Sequence, residues 1–134
     1  MIKGIESILL SSPNAKKLAA FYKDKVGLKQ TLEAEMGDRG EKLFGFELKA
    51  GSGFYIMDHS EVKGANKQPQ RYLLNFEVEE INTEVKKLLK KGVKQIQDVY
   101  HVEDYGLIAT FADVDGNYFQ LVQVQVAKSS NIVN

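Results

Sequence analysis

The chain has 134 residues, 43% of them hydrophobic, a length that suits one domain or two small units with a sizeable core. Its 18 basic and 18 acidic side chains cancel, which excludes the broad positive field of a protein that binds nucleic acid or anionic membranes. The absence of cysteine excludes disulfides and thiol chemistry, and no apolar run is long enough for a signal peptide or a membrane span, so we expect a cytoplasmic protein.

The first half of the chain is predicted to form one strand, one helix and three further strands. In the helix, predicted over about 15–25, Leu18, Phe21 and Tyr22 recur at helical spacing. A serine or asparagine of the preceding turn can cap this helix, and Gly27 ends it. The four predicted strands, separated by this helix and by glycine-rich turns, lie at 5–10, 29–35, 41–48 and 54–57.

The second half repeats this order after a polar linker at about 58–70. Gly27-Leu28-Lys29-Gln30 follows the first helix, and the similar Gly92-Val93-Lys94-Gln95 follows a second helix predicted over about 81–91. A polar, aromatic loop is expected at 100–105 and a frayed tail at 127–134. The predicted strands of this half lie at 71–78, 93–99, 107–112 and 117–126.

Two tandem β-α-β-β-β modules make the chain an α+β protein with a single domain over 1–134. Module one is predicted at about 4–58 and module two at about 71–126. One such unit cannot cover its own sheet, so we expect the two to pair as a cup-shaped, curved mixed sheet with the helices on its outer face. The sequence leaves open whether the modules pair within one chain or swap between two chains.

Alternation within the strands predicts which sheet face the helices cover. The residues predicted to face the helices are Ile8, Leu10, Leu74, Phe76, Val78, Phe119 and Leu121. The opposite, concave face has mixed polarity, and its predicted residues are Ser7, Leu9, Leu73, Asn75, Glu77, Tyr118, Gln120 and Val122. This composition favours a small-molecule pocket over a solvated sheet face, because solvated faces rarely carry several large apolar residues.

Two sequence segments carry a family resemblance. The first is Ser12-Pro13-Asn14-Ala15-Lys16-Lys17-Leu18-Ala19-Ala20-Phe21-Tyr22 with Val26-Gly27-Leu28, and the second is Tyr105-Gly106-Leu107 with the stretch 111–121. Together with the module repeat, they resemble the glyoxalase / bleomycin-resistance / extradiol-dioxygenase superfamily, also called vicinal oxygen chelate, over residues 4 to about 124. Val114 stands where that family usually has proline. The resemblance implies the cup-shaped fold and a homodimer.

The resemblance also implies four inward positions that hold His or Glu in the metal-dependent members. These positions fall on Ser7, Met57, Leu73 and Gln120, although the register near Met57 could slip to Tyr55 or Ile56. None of the four is a good ligand for a divalent cation, so we predict no metal and no cofactor. His59 lies in the linker, where charged side chains are usually solvated, and Asp113 and Asp115 are interpreted as turn residues.

Three functions follow from these observations. The first is a metal-free protein that binds a small hydrophobic, aromatic or cationic ligand, with no nucleic-acid or membrane partner. Its predicted ligand-binding residues are Ser7, Leu9, Tyr55, Met57, Leu73, Asn75, Glu77, Tyr118 and Gln120. The second is a glyoxalase-like lyase or isomerase, or a dioxygenase-like enzyme with an unconventional site, with Glu77 or His101 as the candidate general base. The third is an interaction module whose cup is filled by side chains.

Overall fold

The structure, a computed structural model, describes residues 1–125 of the chain. The chain divides into two compact units, the first being Met1–Ala65 and the second beginning at Asn66. Each unit has the order β-α-β-β-β around its own four-stranded mixed sheet, which confirms the predicted α+β class. The predicted frayed tail at 127–134 and Val126, the predicted last residue of the final strand, lie outside the described residues.

The first unit contains strands β1 to β4 and helix α1. Its elements are β1 Ser7–Ser12, α1 Ala15–Phe21, β2 Lys29–Met36, β3 Glu41–Glu47 and β4 Gly53–Asp58. The strands are ordered β1-β4-β3-β2, with β1 parallel to β4 and the other pairs antiparallel. A π-helical segment, Tyr22–Val26, extends α1 and ends where Gly27 takes a φ of 90°.

The second unit repeats this topology. Its elements are β5 Leu74–Glu77, α2 Ile81–Lys90, β6 Lys94–Val102, β7 Gly106–Ala112 and β8 Tyr118–Val124. The strands are ordered β5-β8-β7-β6, and β5 is parallel to β8. Several predicted boundaries differ from the structure: β1 spans Ser7–Ser12 rather than 5–10, β5 begins at Leu74 rather than at 71, and the predicted loop at 100–105 begins inside β6. Tyr100 and His101 pair there with Ile108 and Leu107, so the strand continues past the predicted loop.

An aromatic cluster holds α1 against the first sheet. Tyr22 is fully buried, and its ring meets that of Phe54 edge to face, with centroids 5.4 Å apart. Phe46 lies beside Phe54 at 5.5 Å. Ile8 pairs with Phe54 across β1 and β4, so it lies on this helix-covered face, as the alternation predicted.

A second aromatic cluster lies under α2. Phe119 is fully buried, and its ring contacts those of Phe76 at 6.0 Å and Phe111 at 5.8 Å. The helix contributes a buried stripe, Ile81, Val85 and Leu88. The predicted orientation of Phe76 and Phe119 toward the helix is therefore confirmed.

In each unit, a side chain from the last strand hydrogen-bonds the first residue of the helix. The Ala15 amide donates to Asp58 Oδ1 at 2.8 Å, while Asp58 Oδ2 accepts from the Lys42 amide at 2.9 Å. In the second unit the Ile81 amide donates to Gln123 Oε1 at 2.9 Å. The first turn of a helix has unpaired amides, so these long-range bonds fix each helix end to its sheet.

Helices long and apolar enough to cross a membrane are absent from residues 1–125.

Candidate functional site

The register of the first sheet defines the face that α1 leaves uncovered. Leu9 pairs with Tyr55, Tyr55 with Gly45, and Gly45 with Leu32, so one row of side chains crosses all four strands. Leu9 is 50% exposed and Leu32 41% exposed. The next row consists of Ser11, Met57, Leu43 and Ala34. This largely apolar surface is called the Tyr55 face below.

The pairing of β4 shows on which face of the sheet the three candidate residues for the fourth implied position lie. Tyr55 and Met57 lie on this face with Leu9, whereas Ile56 is fully buried on the helix-covered face. Ile56 therefore does not share the Tyr55 face with Tyr55 and Met57. Ser7, at the start of β1, pairs with Gly53 and is half-buried on the same face as Leu9.

The Tyr55 ring lies close to two glycines. A Cβ atom on Gly45 would lie 3.0 Å from Tyr55 Cε1, and a Cβ atom on Gly53 would lie 3.0 Å from Tyr55 Cε2. Gly45 is the cross-strand neighbour of Tyr55, and Gly53 precedes it by two residues on the same face. The ring therefore leans over backbone that carries no side chain at either place.

An open cleft of about 660 Å³ adjoins this face at the end of β4. Its lining residues are Pro13, Asp38, Arg39, Gly40, Glu41, Met57, Asp58, His59 and Ser60. Met57 belongs both to the cleft and to the Tyr55 face. His59 Nδ1 accepts from the Glu61 amide at 3.1 Å, so the proton of the neutral ring is on Nε2. Glu41 accepts from the Arg39 amide at 3.1 Å.

The face of the second sheet opposite α2 is more polar. One row consists of Asn75, Gln120, Thr110 and Gln97, and Gln120 Nε2 donates to Thr110 Oγ1 at 2.9 Å. The next row consists of Glu77, Val122, Ile108 and Tyr100. Val122 is 2% exposed and Ile108 8%, so this part of the face is buried rather than solvated.

Leu73 and Tyr118 complete the predicted residues on this side. Leu73 precedes β5 by one residue and is 40% exposed, and the two-residue period of a strand places it with Asn75 and Glu77. Tyr118 pairs with Ala112 and is half-buried.

The two candidate bases lie on opposite faces of the second sheet. His101 pairs with Leu107, and Leu107 pairs with Gln123, whose side chain caps α2. His101 therefore faces the helix side, beside a cavity of about 230 Å³, with Nε2 3.1 Å from Gln125 Oε1. Glu77, paired with Val122, faces the other side. The structure does not bring these two groups together.

The residues at the implied metal positions do not fit a divalent cation. Ser7 offers only a neutral hydroxyl, Leu73 offers no donor atom, and Gln120, whose Nε2 donates to Thr110, offers only a neutral carbonyl oxygen. Within residues 1–125, no group of three or more His, Cys, Asp or Glu side chains is arranged to hold a metal ion. Three or more of the imidazole or carboxylate ligands that commonly bind such cations therefore do not converge in this part of the chain.

Asp113 has the predicted turn role. Its Oδ1 accepts from the amides of Asp115 at 2.8 Å and Asn117 at 3.0 Å, and its Oδ2 accepts from Asn117 Nδ2 at 3.0 Å. The Gly116 amide closes the turn by donating to the Asp113 carbonyl at 3.1 Å. The Asp113 carboxylate thus stabilises the turn by accepting its N–H groups.

Sequence reasoning named no residue of β2, β3 or β7 on these two faces. Gly45, Leu32 and Leu43 belong to the Tyr55 face, and Thr110 and Ile108 to the face of the second unit. Alternation within 41–47 and 107–112 could have identified these residues. If Phe44 and Phe46 face α1, then Leu43 and Gly45 must lie on the other side of the sheet.

Comparisons with known proteins agree with this geometry. A family model described as Glyoxalase/Bleomycin resistance protein/Dioxygenase superfamily matches residues 4–121. A comparison with curated protein sequences gives no significant match.

Solved structures share the fold at low sequence identity. A glyoxylase/bleomycin resistance protein/dioxygenase domain from Frankia sp. EAN1pec is 17% identical, with a TM-score of 0.74 and coverage of 93% of this chain and 100% of that one. TnmS3, an antibiotic binding protein from Streptomyces sp. CB03234, is 19% identical, with a TM-score of 0.70 and coverage of 92% and 98%. The fosfomycin resistance protein FosX from Listeria monocytogenes is 21% identical, with a TM-score of 0.71 and coverage of 94% and 97%.

Proposed function

The protein belongs to the glyoxalase/bleomycin resistance protein/dioxygenase superfamily, and from this premise we propose that it binds a small hydrophobic or aromatic molecule without a metal ion. The observation that carries the proposal is the Tyr55 face. Its central row places Leu9, Tyr55 and Leu32 side by side on a sheet face that the helix leaves open. Contiguous exposed apolar surface of this kind marks binding sites more often than ordinary solvated surface.

The cleft at the end of β4 supports a ligand of drug-like size. Its volume of about 660 Å³ lies within the usual range of 300–1,000 Å³ for small-molecule sites. Met57 connects the cleft to the apolar row, so one ligand can contact both. TnmS3 is an antibiotic binding protein and FosX a fosfomycin resistance protein, which is consistent with a small-molecule role for this chain.

The second sheet offers different chemistry to a ligand. Asn75, Gln120 and Tyr118 supply hydrogen-bonding groups, Glu77 a carboxylate and Leu73 an apolar side chain. We include them among the proposed ligand-binding residues, since polar groups on a sheet face orient a bound ligand.

Metal independence rests on the donor atoms. Replacing imidazole and carboxylate ligands by Ser7, Met57, Leu73 and Gln120 removes the negative charge that neutralises a divalent cation. Lewis-acid chemistry of the lyases and dioxygenases would need such a cation in place.

A thermal-shift screen tests the proposal. Purified protein is heated with aromatic and aliphatic compounds, thiol conjugates, and zinc, nickel and manganese salts. We expect at least one apolar compound to raise the Tm, since a ligand at 100 times its Kd adds about 2.7 kcal/mol to stability. The metal salts are expected to leave the Tm unchanged.

A matched pair of variants locates the site. Leu9→Asp places a charge on the Tyr55 face, and we expect it to weaken the ligand at least ~10-fold, because the ligand would desolvate that charge. Leu89→Asp is the control, since Leu89 on α2 is similarly exposed, at 46% against 50% for Leu9. Equal binding by both variants would contradict the site.

Stoichiometric metal binding with turnover of the hemithioacetal of methylglyoxal and glutathione would overturn metal independence.

We further propose a homodimer, as the family resemblance implies. Two large apolar side chains outside the strands support it, since Ile5 is 74% exposed and Tyr72 84%. Sedimentation equilibrium that yields the mass of a single chain at high micromolar concentration would exclude the dimer.

A further inference from the structure

Two glycines lie inside strands of the Tyr55 face, where glycine is costly. Gly45 is in β3 and Gly53 begins β4, and neither is among the residues with positive φ in the described chain. A glycine within a strand costs roughly 0.5–1 kcal/mol relative to alanine. The need for a positive φ therefore does not explain why these two positions are glycine. We look instead at the space that a side chain would occupy there.

The Tyr55 ring occupies that space. A Cβ on Gly45 would meet Tyr55 Cε1 at 3.0 Å and Cδ1 at 3.1 Å, as well as Leu32 Cβ at 3.1 Å, and a Cβ on Gly53 would meet Tyr55 Cε2 at 3.0 Å. Real Cβ contacts are usually longer, so alanine at either position would force the ring to shift by a few tenths of an ångström. The glycine pair thus lets the ring lie down on the sheet rather than stand out from it.

The ring has no aromatic partner of its own. Phe21, Tyr22, Phe46 and Phe54 of the same unit make ring contacts on the helix side. In the described part of the chain, Tyr55 makes no ring contact and its hydroxyl makes no hydrogen bond. Tyr55 is nevertheless half-buried, between Leu9 on one neighbouring strand and Gly45 on the other.

We propose that Gly45 and Gly53 determine ligand specificity, by holding the Tyr55 ring flat as a stacking surface for a planar aromatic molecule. This inference rests on the proposed function and names the ligand class. Leu9 and Leu32 border the ring in the same row, so a planar ligand stacked on Tyr55 also contacts apolar side chains at its edges. A saturated ring of equal size would keep the edge contacts and lose the stacking.

The expected preference follows from the strength of aromatic pairs. Offset stacking adds about 0.5–1.5 kcal/mol beyond the burial of area, which corresponds to roughly 2- to 12-fold in Kd. We therefore expect the protein to prefer a planar ligand over its saturated counterpart by a factor in this range.

The experiment measures this preference as a ratio of two dissociation constants. The probes are 2-naphthol and decahydro-2-naphthol, which share a hydroxyl and a two-ring skeleton but differ in planarity. Their Kd values are measured by calorimetry for the wild type and for Tyr55→Phe, Tyr55→Leu, Gly45→Ala and Gly53→Ala. Because a destabilised variant weakens both probes alike, the ratio does not report on stability.

The expected results separate the roles of the three residues. Wild type and Tyr55→Phe prefer 2-naphthol, Tyr55→Leu loses the preference, and each glycine variant shows a smaller preference than the wild type. In the Tyr55→Leu background, Gly45→Ala leaves the ratio unchanged, because the ring that it displaces is gone. If one glycine variant does not fold, the other glycine variant and the two Tyr55 variants still decide the question.

The experiment distinguishes failure of the proposed binding face from failure of the stacking role. If neither probe binds, or if Leu9→Asp leaves both affinities unchanged, the proposed binding face is wrong and this inference falls with it. If both probes bind in a manner sensitive to Leu9→Asp, but the wild type shows no preference or Gly45→Ala and Gly53→Ala retain it, the stacking role is wrong and the binding face stands.

Discussion

At the residue level, Asp113 illustrates how one carboxylate organises a turn. It is 7% exposed and accepts three N–H bonds from the turn between β7 and β8. We expect Asp113→Ala to lower the free energy of unfolding by about 2–3 kcal/mol, since hydrogen bonds to charged groups are stronger than neutral ones. Urea denaturation measures the change.

The control for this change is Asp38→Ala. Asp38 is an exposed residue of the β2–β3 turn, where substitution is expected to cost under ~0.5 kcal/mol. If Asp113→Ala proved no more damaging than the control, the carboxylate would not be holding the turn.

Gly106 gives a second prediction at this level. Its φ is 152°, and a Cβ there would overlap the backbone carbonyl oxygen of Gln123 on the paired strand β8. We expect Gly106→Ala to cost about 3 kcal/mol or more, because rigid backbone cannot move aside as a side chain can.

The comparison is Gly51→Ala, at a turn glycine with a φ of 95° and open space around its Cα. Only left-handed backbone strain applies there, at about 1–2 kcal/mol. Thermal unfolding of both variants, side by side, separates the steric cost from the conformational cost, and equal losses would contradict the predicted overlap.

At the level of elements, the helix starts depend on side chains distant in sequence. Asp58 holds the Ala15 amide at the start of α1 and the Lys42 amide of β3 together. We expect Asp58→Ala to cost about 1–2 kcal/mol, as the loss of a helix cap does. Gln123→Ala, which removes one neutral bond to Ile81, is expected to cost about 1 kcal/mol.

Gln97→Ala is the control for both capping variants, since Gln97 is exposed on β6 and is expected to tolerate truncation. Unfolding midpoints in urea rank the three variants. An Asp58→Ala protein as stable as Gln97→Ala would show that neighbouring groups, such as Asn14, suffice to start α1.

The sequence predicted elements well where the signal is local. Alternation placed Phe76 and Phe119 on the covered face, and helical spacing located Leu18 and Tyr22, because each pattern lies within one element. The rows across each sheet were not predictable in this way. Irregularities between Gln30 and Leu32, and between Gln97 and Tyr100, shift the pairing of the outer strands.

The candidate site was therefore predicted in part. The phase of Leu9, Tyr55 and Met57 follows from counting along a strand, and the structure places all three on one face. The closeness of Gly45 to the Tyr55 ring depends on which residues face each other across β3 and β4, and no local pattern contains that information.

At the level of the whole molecule, each unit has its own aromatic core. Phe54 contacts Tyr22 and Phe46 in the first unit, and Phe119 contacts Phe76 and Phe111 in the second. We expect Phe54→Leu and Phe119→Leu each to cost about 1–2 kcal/mol, and their effects to add within about 0.5 kcal/mol in the double variant.

Equilibrium urea denaturation followed by circular dichroism measures the three proteins. Phe44→Leu combined with Phe54→Leu is the matched control, since both side chains lie in the core of the first unit and are expected to couple. A coupling energy above ~1 kcal/mol between Phe54 and Phe119 would mean that the two cores do not respond independently.

The parallel pairing of β1 with β4 has a consequence during protein synthesis. Among residues 1–125, the strand that pairs with β1 is the last strand of the same unit, and β5 and β8 repeat the arrangement. At translation rates of about 5–20 residues per second, β1 leaves the ribosome seconds before its partner exists. The nascent chain thus carries an unsatisfied strand edge through much of each unit's translation, and this interval is when a chaperone would have the most to protect.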